Sequence, residues 1–332
     1  MRIAVVGAGA VGSVVAGYLL EHGRHEVSLL ARGAHLAAIR EQGLTLETRG
    51  RRLHSRPRAS DIPADLGPQD LLFVTVKAHG LPGLAPELAP LLGPQTLVVS
   101  AQNGIPWWYF HGHAGPEAET PFAPVDPGGI VWRGIGPERA LGCVIYLPAH
   151  LEAPGVAHHD GSLRLILGAP RAGDHADALA ALAGALNESG IETKVTDRIR
   201  HGLWAKLLFN SASATVSVLT GGTIGQMVSG PGMRDIRNRL MRETLAVAHA
   251  WGVDLVDTIE TQPASGANAA GHKPSMLQDY EARRPLELDA IVTAVIDLAQ
   301  RRQVAVPTTQ MLWSLVLVKL AAEAYPGLAP RS

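Results

Sequence analysis

A single cysteine, Cys143, stands in 332 residues. No disulfide can form within the chain, and the reducing cytoplasm is the expected setting. Surplus charge is missing too: 29 Lys+Arg against 30 Asp+Glu leave a formal net charge of -1. That balance offers no attraction to nucleic acid or to an anionic membrane surface, so neither is expected as a partner. There is no CxxC and no clustered Cys/His pattern, which excludes a structural zinc site of that kind. The 14 histidines are scattered. The pair His158-His159 lies in a Gly-flanked, strand-like stretch, and lacking a third ligand it reads as a plain turn rather than a metal site. One charge-free run approaches membrane-spanning length, residues 3–20, IAVVGAGAVGSVVAGYLL. Its four glycines argue against a membrane helix, because their spacing has a specific use.

What is present divides the chain in two, and its length suffices for two cores. The first part alternates short apolar, β-branched runs with helical stretches. Strands are expected at 3–6, 26–30, 71–76, 97–100, 143–147 and 163–167. Such alternation implies a mostly parallel sheet with helices on its faces. Residues 44–57 read as a polar hairpin inserted in that pattern, and the Gly- and Pro-rich 111–140 as a long irregular connection. From about residue 174, DHADALAALAGALNES, MRDIRNRLMRETLAVAHAWG and LELDAIVTAVIDLAQRRQ carry apolar residues at i, i+3, i+4 and i+7. Strand signals stop after 193–196. The expected fold class is therefore α/β: an N-terminal Rossmann-type dinucleotide-binding domain over residues 1–197, then an all-helical domain over 198–332.

The first strand runs straight into Gly7-Ala8-Gly9-Ala10-Val11-Gly12. Gly7 permits the tight turn, Gly9 lets the backbone approach a pyrophosphate, and Gly12 lets the next helix pack close with its amides aimed at the phosphates. A GxGxxG pattern is weak alone. Between a strand and a helix, with a second strand about 20 residues on, it reads as a dinucleotide site. The end of the second strand selects the cofactor: an NAD site wants a carboxylate there, whereas this chain has Leu30-Ala31-Arg32. A guanidinium can pair with a 2′-phosphate, which points to NADP(H). Two later strands end in Lys77 and in Gln102-Asn103-Gly104, at the edge where parallel sheets hold their ligands.

Residues 201–210, HGLWAKLLFN, set one lysine in an otherwise apolar helical run. Lys206 and Asn210, at i and i+4, project from one helix face and can reach one substrate. A ketone receiving hydride develops alkoxide charge, which an ammonium can stabilise and protonate. The competing reading is a lysine whose stem covers core surface. Glu287, after Pro285-Leu286, could equally serve a helix N-terminus, and Ser275 could be an N-cap after Pro274.

Taken in order, GAGAVG at 7–12, VTVKA at 74–78, QNG at 102–104, LWAKLLFN at 203–210, SMLQD at 275–279 and the Glu287 helix resemble the ketopantoate reductase (2-dehydropantoate 2-reductase) family over nearly the whole chain. The resemblance implies an NADP-dependent oxidoreductase that reduces a 2-keto acid, ketopantoate to pantoate, in pantothenate and coenzyme A biosynthesis. It implies Lys206 as proton donor and Glu287 as the acid that meets cofactor and substrate. Asn103 falls between the two, Asn210 and Ser275 fall on substrate positions, and Lys77 and Arg32 match the cofactor side with the 7–12 loop. One departure bears on the substrate: the family places a second asparagine four residues after the first, and this chain has Ala214-Thr215. Trp107, Trp108 and Tyr109, beside the QNG turn, are a candidate lining for a larger pocket or plain packing. Two rivals are a 3-hydroxyacid dehydrogenase of related architecture and a redox sensor that binds NADPH without turnover. Arg32 and SMLQD disfavour the first; a retained proton donor disfavours the second. Apolar helix faces near 311–322 would permit a homodimer.

Overall fold

The structure is a computed structural model that describes residues 1–257, 259 and 271–327. The parts of the expected helical domain at 258, 260–270 and 328–332 lie outside the described residues. The chain forms two compact units, Met1–Ile199 and Arg200–Ser332.

In the first unit the strands are β1 (Arg2–Val6), β2 (Glu26–Leu30), β3 (Leu44–Thr48), β4 (Arg51–Ser55), β5 (Arg58–Ser60), β6 (Gln69–Val74), β7 (Leu92–Ser100), β8 (Ala140–Tyr146), β9 (His150–Ala153), β10 (Val156–His159), β11 (Arg164–Gly168) and β12 (Glu192–Val195). The main sheet runs β12-β11-β8-β7-β6-β1-β2-β5. Every neighbouring pair is parallel except β8 with β11. The Rossmann-type parallel sheet expected from the sequence is therefore present. Its central strands are buried on both faces, which is why IAVV and LLFV read as unbroken apolar runs. From β1 the chain passes to β2 on one side and later returns to β6 on the other. Such a reversal leaves a crevice at the carboxyl ends of β1 and β6.

The strand expected at 71–76 stops at Val74. Thr75 N–H still bonds Val6 O at 2.9 Å, but Lys77 then opens a 3₁₀ turn over Ala78–Gly80. The polar hairpin exists as the antiparallel pair β3–β4. It does not stand alone, because β10 lies parallel to β3 and β9 antiparallel to β10, giving a second sheet β4-β3-β10-β9. His158-His159 thus sits in a strand, not in a turn. HLEA is exposed along its whole length and VAHH ends in two histidines, so neither four-residue run has the apolar content of a buried strand. The 111–140 connection is not wholly irregular either: it contains the helix Ile130–Ile135.

The charge-free run at 3–20 has a physical explanation. Helix Ala10–His22 follows β1 and is buried from Gly12 through Leu19, since the small sheet covers the side that the main sheet leaves. A Cβ on Gly17 would lie 2.8 Å from Leu46 Cδ2 of β3, and the Tyr18 hydroxyl meets Thr48 Oγ1 at 3.0 Å. A helix wedged between two sheets is apolar all round without entering a membrane. Among the described residues no helix is long and apolar enough to cross one.

The second unit is all-helical among the described residues. Its helices are Ile199–Thr220 (beginning at the unit boundary), Ile224–Ser229, Pro231–Ala250, Ser275–Glu281, Ala294–Arg301 and Pro307–Ala322. A π-helical turn, Asp289–Thr293, leads into the fifth of these. Leu208, Ala212 and Val216 of the first helix pack with Leu240, Met241 and Leu245 of the third. The Glu243 carboxylate accepts the Thr308 and Thr309 amides at 2.8 Å each, fixing the start of the last helix.

Candidate active site

The glycine loop is built by what its neighbours leave no room for. Gly7 has φ +95°, and a Cβ there would lie 2.8 Å from Val76 N. A Cβ on Gly12 would meet Gly7 O and stand 2.5 Å from Thr75 Oγ1. Gly9 differs: φ is −74°, and a Cβ would meet nothing within 4 Å. Packing demands glycine at 7 and 12, whereas at 9 only a ligand would. The loop is tied down by Gly7 N–H and Ala8 N–H, both donating to Leu30 O, at 3.0 and 3.3 Å. The first helical bond is Ser13 N–H to Gly9 O at 2.8 Å. The amides of Ala10, Val11 and Gly12 precede that bond at the positive end of the helix, which suits a pyrophosphate. The residues present therefore fit a dinucleotide.

Arg32 follows β2 as the N-cap of helix Gly33–Gln42. It is exposed, and its guanidinium has no partner among the described residues. His35, one turn on, locks this helix to the glycine loop. Gly155 N–H donates to His35 Nδ1 at 2.9 Å, so the ring proton is on Nε2, which meets Ser13 Oγ at 3.1 Å. The Ser13 hydroxyl in turn donates to Ala8 O at 3.1 Å. Burial pushes the His35 pKa below its usual value, which favours this neutral tautomer. Nothing in the sequence pattern marks His35.

Lys77 follows β6 and Asn103 follows β7, both half-buried. Gln102 Nε2 donates to Val76 O at 2.8 Å and joins those two strand ends. The 7–12 loop, Arg32, Lys77 and Asn103 thus come together at the carboxyl ends of four adjacent strands, β2, β1, β6 and β7. Trp107, Trp108 and Tyr109 do not join them. They are 2%, 0% and 0% exposed, and Trp107 Nε1 donates to Ser100 Oγ at 3.0 Å. Packing, not pocket lining, accounts for this segment.

In the second unit, Lys206 and Asn210 lie on the half-buried face of helix Ile199–Thr220, whereas Leu203, Trp204, Leu207 and Leu208 are buried. Ser213, at i+7 from Lys206, continues that face and is also half-buried. It is a polar group that sequence reading passed over, one residue before the Ala214 where an asparagine was expected. Ala214 itself is 2% exposed. Ser275 is the first residue of its helix, and the cap position belongs to Pro274, with no side-chain cap bond. The N-cap reading of Ser275 fails, and its exposed hydroxyl has no partner among the described residues. Glu287 is half-buried ahead of the π-helical turn, with its carbonyl accepting Ile291 N–H at 3.3 Å. π-Helical turns recur at functional sites.

Comparison with known proteins adds to this geometry. The family model of ketopantoate reductase PanE/ApbA matches residues 3–172, and that of its C-terminal part matches 198–319. A 2-dehydropantoate 2-reductase of Mesorhizobium japonicum is 39% identical over 97% of this chain and 98% of its own. A candidate ketopantoate reductase of Ralstonia solanacearum MolK2, with a solved structure, is 35% identical with TM-score 0.89, over 97% of this chain and 98% of the other. A D-mandelate dehydrogenase solved with NADH and anilino(oxo)acetate, 24% identical with TM-score 0.83 over 97% and 99% of the two chains, shares the fold alone.

Proposed function

This chain belongs to the ketopantoate reductase family, and from that premise we propose that it reduces 2-dehydropantoate to pantoate with NADPH. The Mesorhizobium relative carries that reductase name. The observation that carries the reading is the pairing of Lys206 with Asn210 on one half-buried face of an otherwise apolar helix. When bound, the nicotinamide supplies hydride to the ketone carbon. Lys206 stabilises the charge that develops on the ketone oxygen and donates the proton that completes the alcohol. Asn210 holds the substrate by its amide, Ser275 holds the carboxylate through its hydroxyl, and Glu287 and Asn103 orient the reacting groups. The 7–12 loop and Lys77 hold the cofactor phosphates.

Because a protein of this fold binds NADH, the choice of NADPH rests on residues, not on architecture. Arg32, exposed and uncommitted at the end of β2, supplies the cation for a 2′-phosphate. At the substrate end, Ala214 removes an amide and adds room, so bulkier 2-keto acids compete with ketopantoate. Exposed Met311, Leu315 and Val318 on one face of the last helix provide an apolar seam for a homodimer. The enzyme works in the cytoplasm.

The test is loss of NADPH absorbance with a panel of 2-keto acids. Turnover of ketopantoate with NADPH preferred over NADH supports the proposal. Absence of turnover with every 2-keto acid would leave only a binding protein.

A further inference from the structure

The outer face of the small sheet carries a polar cluster that dinucleotide chemistry does not use. Glu47 of β3 is the cross-strand partner of His158 on β10, and His158 is the partner of His150 on β9. Cross-strand partners on one face bring their side chains together. The β9–β10 register shifts between Val156 and Ala157: Val156 pairs Ala153, but Ala157 pairs Leu151. Glu152 is therefore the extra residue on β9, and bulges of this kind re-aim a side chain. One His158 ring nitrogen and one carboxylate oxygen each from Glu47 and Glu152 lie within 4.8 Å of one another. The His150 ring lies 5.0 Å from that of His158, centroid to centroid. Asp160 Oδ2, 2.7 Å from His158 Nε2, fixes the ring plane as carboxylates do beside metal-bound histidines.

His159 takes no part. Successive strand residues point to opposite faces; its Nδ1 meets Pro148 O at 2.8 Å, and its ring packs against Tyr18 on the inner side. The third ligand missing from the sequence around His158-His159 comes from neighbouring strands. Nor do local cations account for the cluster. Arg52 Nε approaches Glu47 only to 3.8 Å and is itself 71% exposed.

We propose that Glu47, Glu152 and His158 bind a divalent transition metal of the zinc class, with water completing the coordination. Imidazole with carboxylates suits Zn²⁺, Co²⁺ or Ni²⁺, whereas Mg²⁺ and Ca²⁺ take all-oxygen sets and Cu⁺ takes sulfur. Tetrahedral ligands at zinc distances stand about 3.4 Å apart. The three donor atoms, within 4.8 Å of one another, reach that spacing by a modest closure of one exposed and two half-buried side chains. Such an ion would clamp β3, β10 and β9, the sheet against which the glycine-loop helix packs, so its effect is on stability rather than turnover.

The experiment is calorimetric titration of tag-free protein with ZnCl₂, alongside thermal melts with and without the metal. One saturable site that also raises the melting temperature is expected, with no comparable response to MgCl₂. His158→Ala should abolish the site, and Glu47→Gln or Glu152→Gln should each weaken it by tenfold or more. All three should melt like the parent in chelator, because the side chains lie on an outer face. His272→Ala, an exposed histidine of the other unit, should leave the affinity unchanged. Weak unsaturable uptake, or Zn²⁺ affinity indifferent to His158, Glu47 and Glu152, overturns the proposal.

Discussion

Replacing Gly9 by alanine separates the protein's own packing from the space it keeps for a ligand. The backbone at Gly9 is in an ordinary extended conformation, φ −74° and ψ −163°, and an added Cβ touches nothing within 4 Å. The folded state loses nothing, while the unfolded chain loses freedom, a gain of about 0.4–1 kcal/mol. At roughly 2–4 °C per kcal/mol for a unit of this size, the melting temperature should rise by about 1–4 °C. The methyl group nevertheless stands where the backbone meets the pyrophosphate. Losing one charge-assisted amide–phosphate bond costs about 1.5–3 kcal/mol, so NADPH affinity should fall roughly ten- to a hundredfold or more. Gly12→Ala should behave differently. Its Cβ would meet Gly7 O and Thr75 Oγ1, so stability should drop by about 1–3 kcal/mol as in other overpacked sites. Fluorescence titration with NADPH and a thermal melt, both on the Gly9 variant, are sufficient. A variant that binds NADPH like the parent, or that melts several degrees lower, refutes the reasoning.

Three further outcomes are expected. Arg32→Ala should weaken NADPH roughly ten- to a hundredfold, the worth of about 1.5–3 kcal/mol for a charged contact, and leave NADH unchanged; equal affinity of the parent for both cofactors sinks this assignment. Ala214→Asn should raise kcat/KM for ketopantoate relative to bulkier 2-keto acids, and an unchanged ratio shows that position 214 does not set substrate choice. Glu119 is held at about 2 against an ordinary 4.5: burial pushes it up, but bonds from Gly112 N–H, Arg171 and His111 to the charged form outweigh that. Stability from this depressed carboxyl is present above pH 4.5 and lost as pH falls towards 2, so Glu119→Gln should flatten the acid limb of a stability–pH curve. An unchanged limb means those bonds contribute nothing.

Local rules made the dinucleotide half legible. Strand, turn and helix follow one another within a few residues of Gly7, and Arg32 lies where the second strand must end. Features that depend on distant neighbours were not legible. The stretch at His158-His159 reads as strand-like, but β9 and β10 owe their place to β3, far away in sequence, and nothing local signals that pairing. The absence of charge from residues 10–20 of the glycine-loop helix makes sense only once the second sheet is seen covering it. The aromatic segment Trp107–Tyr109 lies next to the ligand-binding strand end, yet a strand end has an inner side as well as an outer one, and these rings fill the inner side. Ser213 and His35 are ordinary residues in ordinary patterns; only the helix face and the Gly155 amide give them meaning.

The most direct test concerns the lone lysine of HGLWAKLLFN. Lys206→Met keeps the apolar stem and removes only the ammonium, so packing is preserved while the proton donor is lost. Measured on one purified variant, kcat for ketopantoate reduction should fall by roughly two to four orders of magnitude, the usual worth of a positioned acid. NADPH affinity and melting temperature should stay close to the parent's. An intact kcat accompanied by a lowered melting temperature would contradict the account and make Lys206 a packing residue.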